Sequence, residues 1–181
     1  MKKFRFNLTV ALLLALILAA CASSGRGDEE ASRPSRSTVS LAPESDFSAT
    51  FTDNNRAAVI RTYNGRGNGI IIPDTIQGVP VVRIAEGAFR ENTRVTEVVI
   101  LEGVTVIGAN AFLGCSRLAR VTLPTTIQSI GSGAFTGCGS LTEVNIPDGV
   151  SIEWNGNTFV GARLLLATQT RLRELGYTGA F

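Results

Sequence analysis

The chain has 181 residues, of which 44% are hydrophobic and 18% are charged, a composition typical of a folded domain with short extra segments. It contains no histidine, which removes the commonest general acid/base residue and the commonest metal ligand. Three of its 17 basic residues lie in the first twenty, so the rest of the chain has 14 basic against 15 acidic residues. Because no basic run exceeds two residues, no nucleic-acid partner is expected.

Residues 1–20 have the pattern of an export signal. Three basic residues precede a 13-residue apolar stretch, 8–20, which is too short to span a bilayer as a stable helix. The stretch ends in LAAC, residues 18–21, which resembles a bacterial lipobox. The resemblance implies cleavage before Cys21 and acylation of Cys21, palmitate included, and several acyl chains would hold the protein at a membrane. An ordinary signal peptide with a chance cysteine is the alternative.

Residues 21–46 are rich in Ser, Pro, Gly and charge, which predicts a lipidated flexible tether. They include an Arg-Gly-Asp tripeptide at 26–28, a sequence that some host integrins bind. Because so short a motif has a high false-positive rate, the tripeptide is interpreted as part of the tether.

The folded body is expected to begin with an N-terminal cap over residues 47–80. Turn residues at 53–55 and alternating polarity predict a β-hairpin with strands 49–52 and 57–63. A further strand is predicted at 69–72.

Residues 81–160 repeat with a period of 23. Six apolar columns keep this spacing: Ile84, Ile107 and Ile130; Ala88, Ala111 and Ala134; Phe89, Phe112 and Phe135; Val95, Leu118 and Leu141; Val98, Val121 and Val144; and Ile100, Leu123 and Ile146. A period in the twenties indicates a solenoid, in which each rung buries one face against the next. We expect one short parallel strand per rung with a less regular return, and we expect the phenylalanines and the isoleucines each to stack as a column.

These residues resemble the BspA-type leucine-rich repeat, whose consensus is similar to LxxVxLPxxVxxIGxxAFxxC. The resemblance extends over about residues 70–159 and implies a mostly β, α+β solenoid. It also implies a surface lipoprotein of bacterial, spirochaete-like origin. Three departures stand out: Asn92 occupies a repeat cysteine position, Leu101 replaces the repeat proline, and Trp154 interrupts the last rung.

Residues 161–181 depart from the repeat and predict a C-terminal helical cap. A helix is predicted over 162–175, with Gly176 placed to end it. The leucines on its apolar face are Leu165, Leu172 and Leu175. Tyr177 and Phe181 are expected to fold back over the open end of the core.

Cys115 and Cys138 are the obvious candidates for chemistry. Equivalent Cα atoms in adjacent rungs lie about 4.8 Å apart, which a disulfide accepts, but parallel side chains disfavour its torsion. Free buried thiols are therefore favoured, and a bridge stays open as the alternative. Two cysteines without histidine do not predict a metal site, and no nucleophile has a base beside it. We predict no enzyme, no catalytic residue, no cofactor and no small-molecule substrate.

Two outward strand columns form the candidate protein-binding surface. One is the charged ladder Glu97, Arg120 and Glu143, which is interpreted mainly as fixing the strand register. The other is Ile71, Val99, Thr122 and Asn145, which grades from apolar to polar.

The expected function is that of a membrane-anchored, surface-displayed protein-binding module. The family resemblance implies adhesion to host matrix or bacterial surface proteins, a role that the fold alone does not establish. The expected location is the outer membrane or cell surface of a bacterium. The alternative is a periplasm-facing structural or assembly lipoprotein without host contact.

Overall fold

The computed structural model describes residues 39–52 and 54–181. The predicted export signal, Cys21 and the Arg-Gly-Asp tripeptide therefore lie outside the described residues. The strands are β1 (Ser40–Leu41), β2 (Phe47–Thr52), β3 (Ala57–Tyr63), β4 (Gly69–Ile72), β5 (Thr75–Ile76), β6 (Val79–Ile84), β7 (Glu97–Ile100), β8 (Val106–Ile107), β9 (Arg120–Thr122), β10 (Ser129–Ile130), β11 (Glu143–Asn145) and β12 (Glu153–Trp154). The α-helix is α1 (Leu166–Glu174).

Each rung of the solenoid supplies one strand to each of two sheets. The five-stranded sheet has the order β1-β4-β7-β9-β11, and all its pairs are parallel. The second sheet has the order β12-β10-β8-β6-β3-β2, with β5 paired to β6, and only its β2–β3 and β5–β6 pairs are antiparallel. The return of each rung is thus more regular than expected, because it contains the second short strand.

The apolar columns form one continuous core. All members of the six predicted columns are at most 7% exposed. The rings of Phe89 and Phe112 stack with centroids 4.7 Å apart, and those of Phe112 and Phe135 with centroids 5.1 Å apart. Tyr63 extends the stack at one end and Phe159 at the other. The predicted aromatic column is therefore confirmed and is longer than the repeat alone indicated.

Two left-handed positions in each rung fix the turns between sheets. The first column is Gly87, Asn110, Gly133 and Gly156, and the second is Glu91, Gly114, Gly137 and Gly161, with φ between 45° and 80°. These residues turn their N–H groups toward the next rung: Gly114 N donates to Thr136 O at 2.8 Å and Gly137 N to Val160 O at 2.8 Å. Glycine is favoured here because a side chain destabilises the left-handed conformation.

The N-terminal cap contains the predicted hairpin, and the folded body begins earlier than predicted. β3 and β4 have the predicted bounds, while β2 starts at Phe47. β1 pairs with β4 inside the segment interpreted as tether, through Ser40↔Ile70 and Leu41↔Ile71. Ala42 is buried against the core, so residues 40–46 are part of the body and not of a flexible tether.

The C-terminal cap begins its helix later than predicted. Arg163 and Leu165 donate their backbone N–H groups to Leu141 O and Thr142 O, at 3.0 and 2.8 Å, so residues 163–165 run beside the segment just before β11, with Leu165 in an extended conformation. Leu165 was expected on the apolar helix face, but it is 56% exposed. Thr168 and Leu172 face inward instead.

Tyr177 closes the end of the core. It is almost fully buried, and its ring meets Phe159 edge-on at 5.3 Å. Its hydroxyl donates to Ala180 O at 2.8 Å and accepts the Phe159 N–H at 3.3 Å. Phe181 packs on Tyr177 in turn, with ring centroids 5.4 Å apart. The two aromatic residues therefore fold back as predicted.

Candidate functional site

The charged ladder is in register but unevenly paired. Strand pairing places Arg120 between Glu97 and Glu143. Arg120 Nη2 lies 2.9 Å from Glu97 Oε2, and within the described residues Glu143 makes no ion pair. The hydrogen bond to Glu97 and its charge hold the pKa of Arg120 above its usual value, with a smaller contribution from Glu143. A pair this exposed stabilises the fold by about 0–1 kcal/mol, which agrees with a role in register.

The second predicted column is also in register, and it is only partly accessible. Ile71 pairs with Val99, and Val99 pairs with Thr122. Thr122 pairs in turn with Asn145. The first three are half-buried, and Asn145 is exposed. The strand register thus brings all four together on the outer face of the five-stranded sheet.

The apolar end of this face is larger than the sequence indicated. Leu41 of β1 lies beside Ile71 and is 61% exposed. Leu41, Ile71 and Val99 therefore form a row across three adjacent strands, which we call the apolar row. Sequence reasoning missed Leu41 because a two-residue strand in a polar segment has no periodic signal; the only hint was the alternation of Val39 and Leu41.

The two repeat cysteines are free and buried. Cys115 Sγ lies 3.0 Å from Phe89 O, and Cys138 Sγ lies 3.2 Å from Phe112 O, so both thiols donate to backbone carbonyls one rung below. Contact with the Cys115 thiol, together with burial, raises the pKa of Cys138. A neutral thiol in the core packs as a small hydrophobic group and is a poor nucleophile.

A cleft of about 300 Å³ opens where the loop after β3 meets the first rung. Its lining residues are Tyr63, Asn64, Gly65, Arg66, Glu91, Asn92, Thr93 and Arg94. Burial raises the pKa of the Tyr63 hydroxyl, the nearby Gly67 backbone opposes the shift, and the Asp46 carboxylate adds to it. The Gly67 contact lacks hydrogen-bond geometry, so this buried oxygen has no partner among the described residues.

The described residues contain no cluster of side chains typical of a metal site. In residues 39–52 and 54–181, no three His, Cys, Asp or Glu side chains converge as metal ligands. The same residues contain no helix long and apolar enough to cross a membrane. Accessible features include the face of the five-stranded sheet, the cleft at its N-terminal end and a second cleft of about 290 Å³ beside β2 and β5.

Comparison with known proteins agrees with this architecture. A family model described as BspA type leucine rich repeat region (6 copies) matches residues 69–165, more than half of the chain. No curated protein matches the chain. Leucine-rich-repeat solenoids are generally protein-binding modules rather than enzymes, and BspA-type proteins are bacterial surface proteins.

Three solved structures illustrate the similarity. A leucine-rich repeat protein from Bacteroides capillosus is 27% identical with a TM-score of 0.57, and the match covers 66% of this chain and 90% of that one. A leucine-rich repeat protein from Bacteroides ovatus is 26% identical with a TM-score of 0.57, covering 66% of this chain and 32% of that one.

A leucine-rich cell surface protein from Faecalibacterium prausnitzii is 26% identical with a TM-score of 0.54, covering 68% of this chain and 42% of that one. The chain thus spans less than half the length of two of these three proteins. With the family model over its repeats and the same stacked parallel strands, the chain belongs to the BspA-type leucine-rich repeat family.

Proposed function

We propose that the chain is a surface-displayed bacterial lipoprotein of the spirochaete-like type, which binds other proteins through the outer face of its five-stranded sheet. The observation that carries the proposal is the apolar row of Leu41, Ile71 and Val99 on three adjacent parallel strands. A partly exposed apolar row beside polar positions is typical of a protein-contact surface.

Anchoring follows from residues outside the described part. Cys21 after the apolar stretch 8–20 would carry the acyl chains, and residues 22–39 would connect the membrane to β1. Ala22 follows the cysteine in place of the aspartate that resembles an inner-membrane retention signal, which favours the outer membrane. Adhesion to host matrix or bacterial surface proteins is the role proposed for the displayed sheet.

The binding face is tested by Val99→Glu, with Val106→Glu as the matched control. Both valines are half-buried and outward-facing, but Val106 lies on β8 in the other sheet. In solid-phase binding of the full chain to a panel of extracellular matrix proteins, Val99→Glu is expected to weaken binding about tenfold or more, since it places a charge in the contact. Val106→Glu should bind as the unaltered chain does.

Thermal unfolding of both variants separates binding from stability. Similar melting temperatures with selective loss of binding in Val99→Glu support the proposal. Equal losses of binding in the two variants, or a large stability loss confined to Val99→Glu, would show that Val99 acts as a packing residue and not as a contact.

Surface display needs its own experiment. Protease treatment of intact cells should digest the displayed protein and spare a periplasmic marker. Survival of the chain until the cells are lysed would favour the periplasm-facing alternative.

A further inference from the structure

Four arginines lie in one column along the corner that leads into the five-stranded sheet. Arg66 precedes β4 by the same three residues by which Arg94 precedes β7, and the two arginines line the same cleft. The register Glu97↔Arg120 places Arg94 beside Arg117 in the same way.

The column continues to the C-terminal end of the sheet. The register Glu143↔Arg120 places Ser140 beside Arg117, so the fourth position of the column is a serine. The bond from Leu165 N to Thr142 O reaches one rung back in the same way as the bond from Thr142 N to Ala119 O, and this places Arg163 beside Ser140. We call Arg66, Arg94, Arg117 and Arg163 the arginine column, with Ser140 as its single gap.

The guanidinium groups of the arginine column are available to a ligand. All four side chains are exposed, and within the described residues none makes an ion pair or a side-chain hydrogen bond. Arg90, Arg120 and Arg171 differ, since each contacts a carboxylate at 3.2 Å or less. Arg56, Arg61 and Arg83 are likewise exposed and make no ion pair among the described residues, so this corner is distinguished by the length of its row of unpaired arginines.

The surroundings of the arginine column contain little negative charge. The residues just before it in successive rungs are uncharged: Gly65, Thr93, Ser116, Gly139 and Ala162. Glu91 is the carboxylate that lines the same cleft as Arg66 and Arg94, and it is paired with Arg90. Glu97, on the adjoining strand, is paired with Arg120, whereas the Asp46 carboxylate lies near the Tyr63 hydroxyl and Gly65 and makes the Tyr63 end of the cleft less positive than the rest of the column. The local potential of the column is therefore positive although the protein as a whole is almost neutral.

The geometry fits a linear anionic chain. Rungs are about 4.8 Å apart, so the first three arginines span roughly 10 Å and Arg163 lies roughly 20 Å from Arg66. A row one residue wide matches a polymer strand better than it matches a membrane, which needs a broad basic face. The planar guanidinium fork pairs with sulfate and carboxylate groups through two parallel hydrogen bonds. Single-stranded nucleic acid is disfavoured because the column has no aromatic side chain on which bases would stack.

An unsatisfied donor at one end supports the same interpretation. Arg66 and Arg94 both line the cleft of about 300 Å³, as does Tyr63. Tyr63 is 7% exposed as a residue, and its buried hydroxyl oxygen has no hydrogen-bond partner among the described residues. A buried hydroxyl without a partner costs free energy, and the oxygen of a ligand held by Arg66 and Arg94 would accept its hydrogen bond, with the two guanidinium groups offsetting the nearby Asp46 carboxylate.

We propose that the arginine column binds a linear anionic glycan carrying sulfate and carboxylate groups, with one such group entering the cleft beside Tyr63. The column lies on the corner of the solenoid and the apolar row lies on the sheet face, so glycan binding and the proposed protein binding are separable by mutation.

The test measures heparin binding to the full chain in neutral detergent by calorimetry at low ionic strength. The double variant Arg94→Ser with Arg117→Ser should weaken binding about tenfold or more, since two charge-assisted contacts are lost. Serine is chosen because it is the residue that the chain itself has in this column at Ser140. Arg61→Ser with Arg83→Ser is the matched control, because these two exposed arginines lie on β3 and β6, away from the column. Their substitution removes the same total charge. The control should change the dissociation constant less than about twofold.

A variant with increased affinity distinguishes the loss of a binding contact from a loss of affinity through misfolding. Ser140→Arg fills the gap in the column and should tighten heparin binding about two- to fivefold. Chemically desulfated heparin should bind more weakly than heparin, and neutral dextran should not bind.

Three results would overturn the proposal. The first is an equal loss of affinity in the control double variant, and the second is an unchanged affinity in Ser140→Arg. The third is that phosphatidylglycerol vesicles or duplex DNA bind as tightly as heparin does, and that Arg94→Ser with Arg117→Ser weakens their binding equally. That result would assign the column to lipid or to unspecific anion binding.

Discussion

The aromatic column supplies the most direct test of how the solenoid is held together. Phe112 is fully buried and stacks on Phe89 and Phe135 with centroid distances of 4.7 and 5.1 Å. Phe112→Ala removes the ring in the middle of the column and leaves a cavity between two rungs. We expect a loss of about 3–5 kcal/mol in the free energy of unfolding, to which the two stacking contacts contribute about 0.5–1.5 kcal/mol each.

The measurement is urea denaturation followed by circular dichroism. Because a small domain has a total stability of only about 5–15 kcal/mol, Phe112→Leu provides a milder variant that should remain folded with a smaller loss. Phe181→Ala is the positional control, since Phe181 lies at the end of the aromatic row and is half-buried. A loss for Phe112→Ala no greater than that for Phe181→Ala would refute the idea that one continuous aromatic column stabilises the rungs.

Two further predictions concern the turns and the thiols. Gly137→Ala should destabilise the fold by about 1–2 kcal/mol in urea denaturation, because Gly137 has a φ of 72°. Gly139→Ala is the control and should cost less, since Gly139 has open space around it and an ordinary φ. Equal losses of stability in the two variants would contradict the steric argument. Cys115 and Cys138 should resist alkylation in the folded protein at pH 8 and react fully in urea, because both are buried and the pKa of Cys138 is raised. Mass spectrometry identifies the labelled cysteines, and rapid labelling of these two in the native chain would show that their thiols are accessible.

The core was predictable from the sequence because every rung repeats the same environment. Phe89, Phe112 and Phe135 recur every 23 residues, so one interpretation of a rung applies to all of them. The hairpin was predictable for a different reason: its turn residues and alternation are local signals.

The elements that the sequence did not reveal depend on edges of the sheet. β1 forms because β4 offers an unpaired edge, and two residues are too few to carry a period. Leu165 has a helical spacing to Leu172, but the carbonyl groups of Leu141 and Thr142 accept the N–H groups of Arg163 and Leu165 and keep these residues out of the helix. Both cases are tertiary pairing overriding a local pattern.

The surface features were only partly visible for a related reason. Arg94 and Arg117 keep the 23-residue period, but Arg66 lies 28 residues before Arg94 because of the five extra residues in the first repeat. Only the strand register aligns Arg66 with them. The partnerless Tyr63 hydroxyl and the cleft depend on loop packing, for which the sequence has no periodic signal.

Two departures from the repeat, Glu91 and Asn92, lie in the rung around Phe89, and this permits one more test. Glu91 has a φ of 56° at a position where the later rungs have glycine, and it lines the cleft beside Asn92 and Tyr63. A left-handed glutamate costs stability, and such strain persists mainly where a site requires the side chain. Glu91→Gly should therefore raise the free energy of unfolding by about 0.5–1 kcal/mol, because the exposed pair with Arg90 contributes little. A lower free energy of unfolding for Glu91→Gly in urea denaturation would show that the Glu91 side chain stabilises the fold. A higher one would show that Glu91 costs stability, as expected of a residue kept for a role in the cleft.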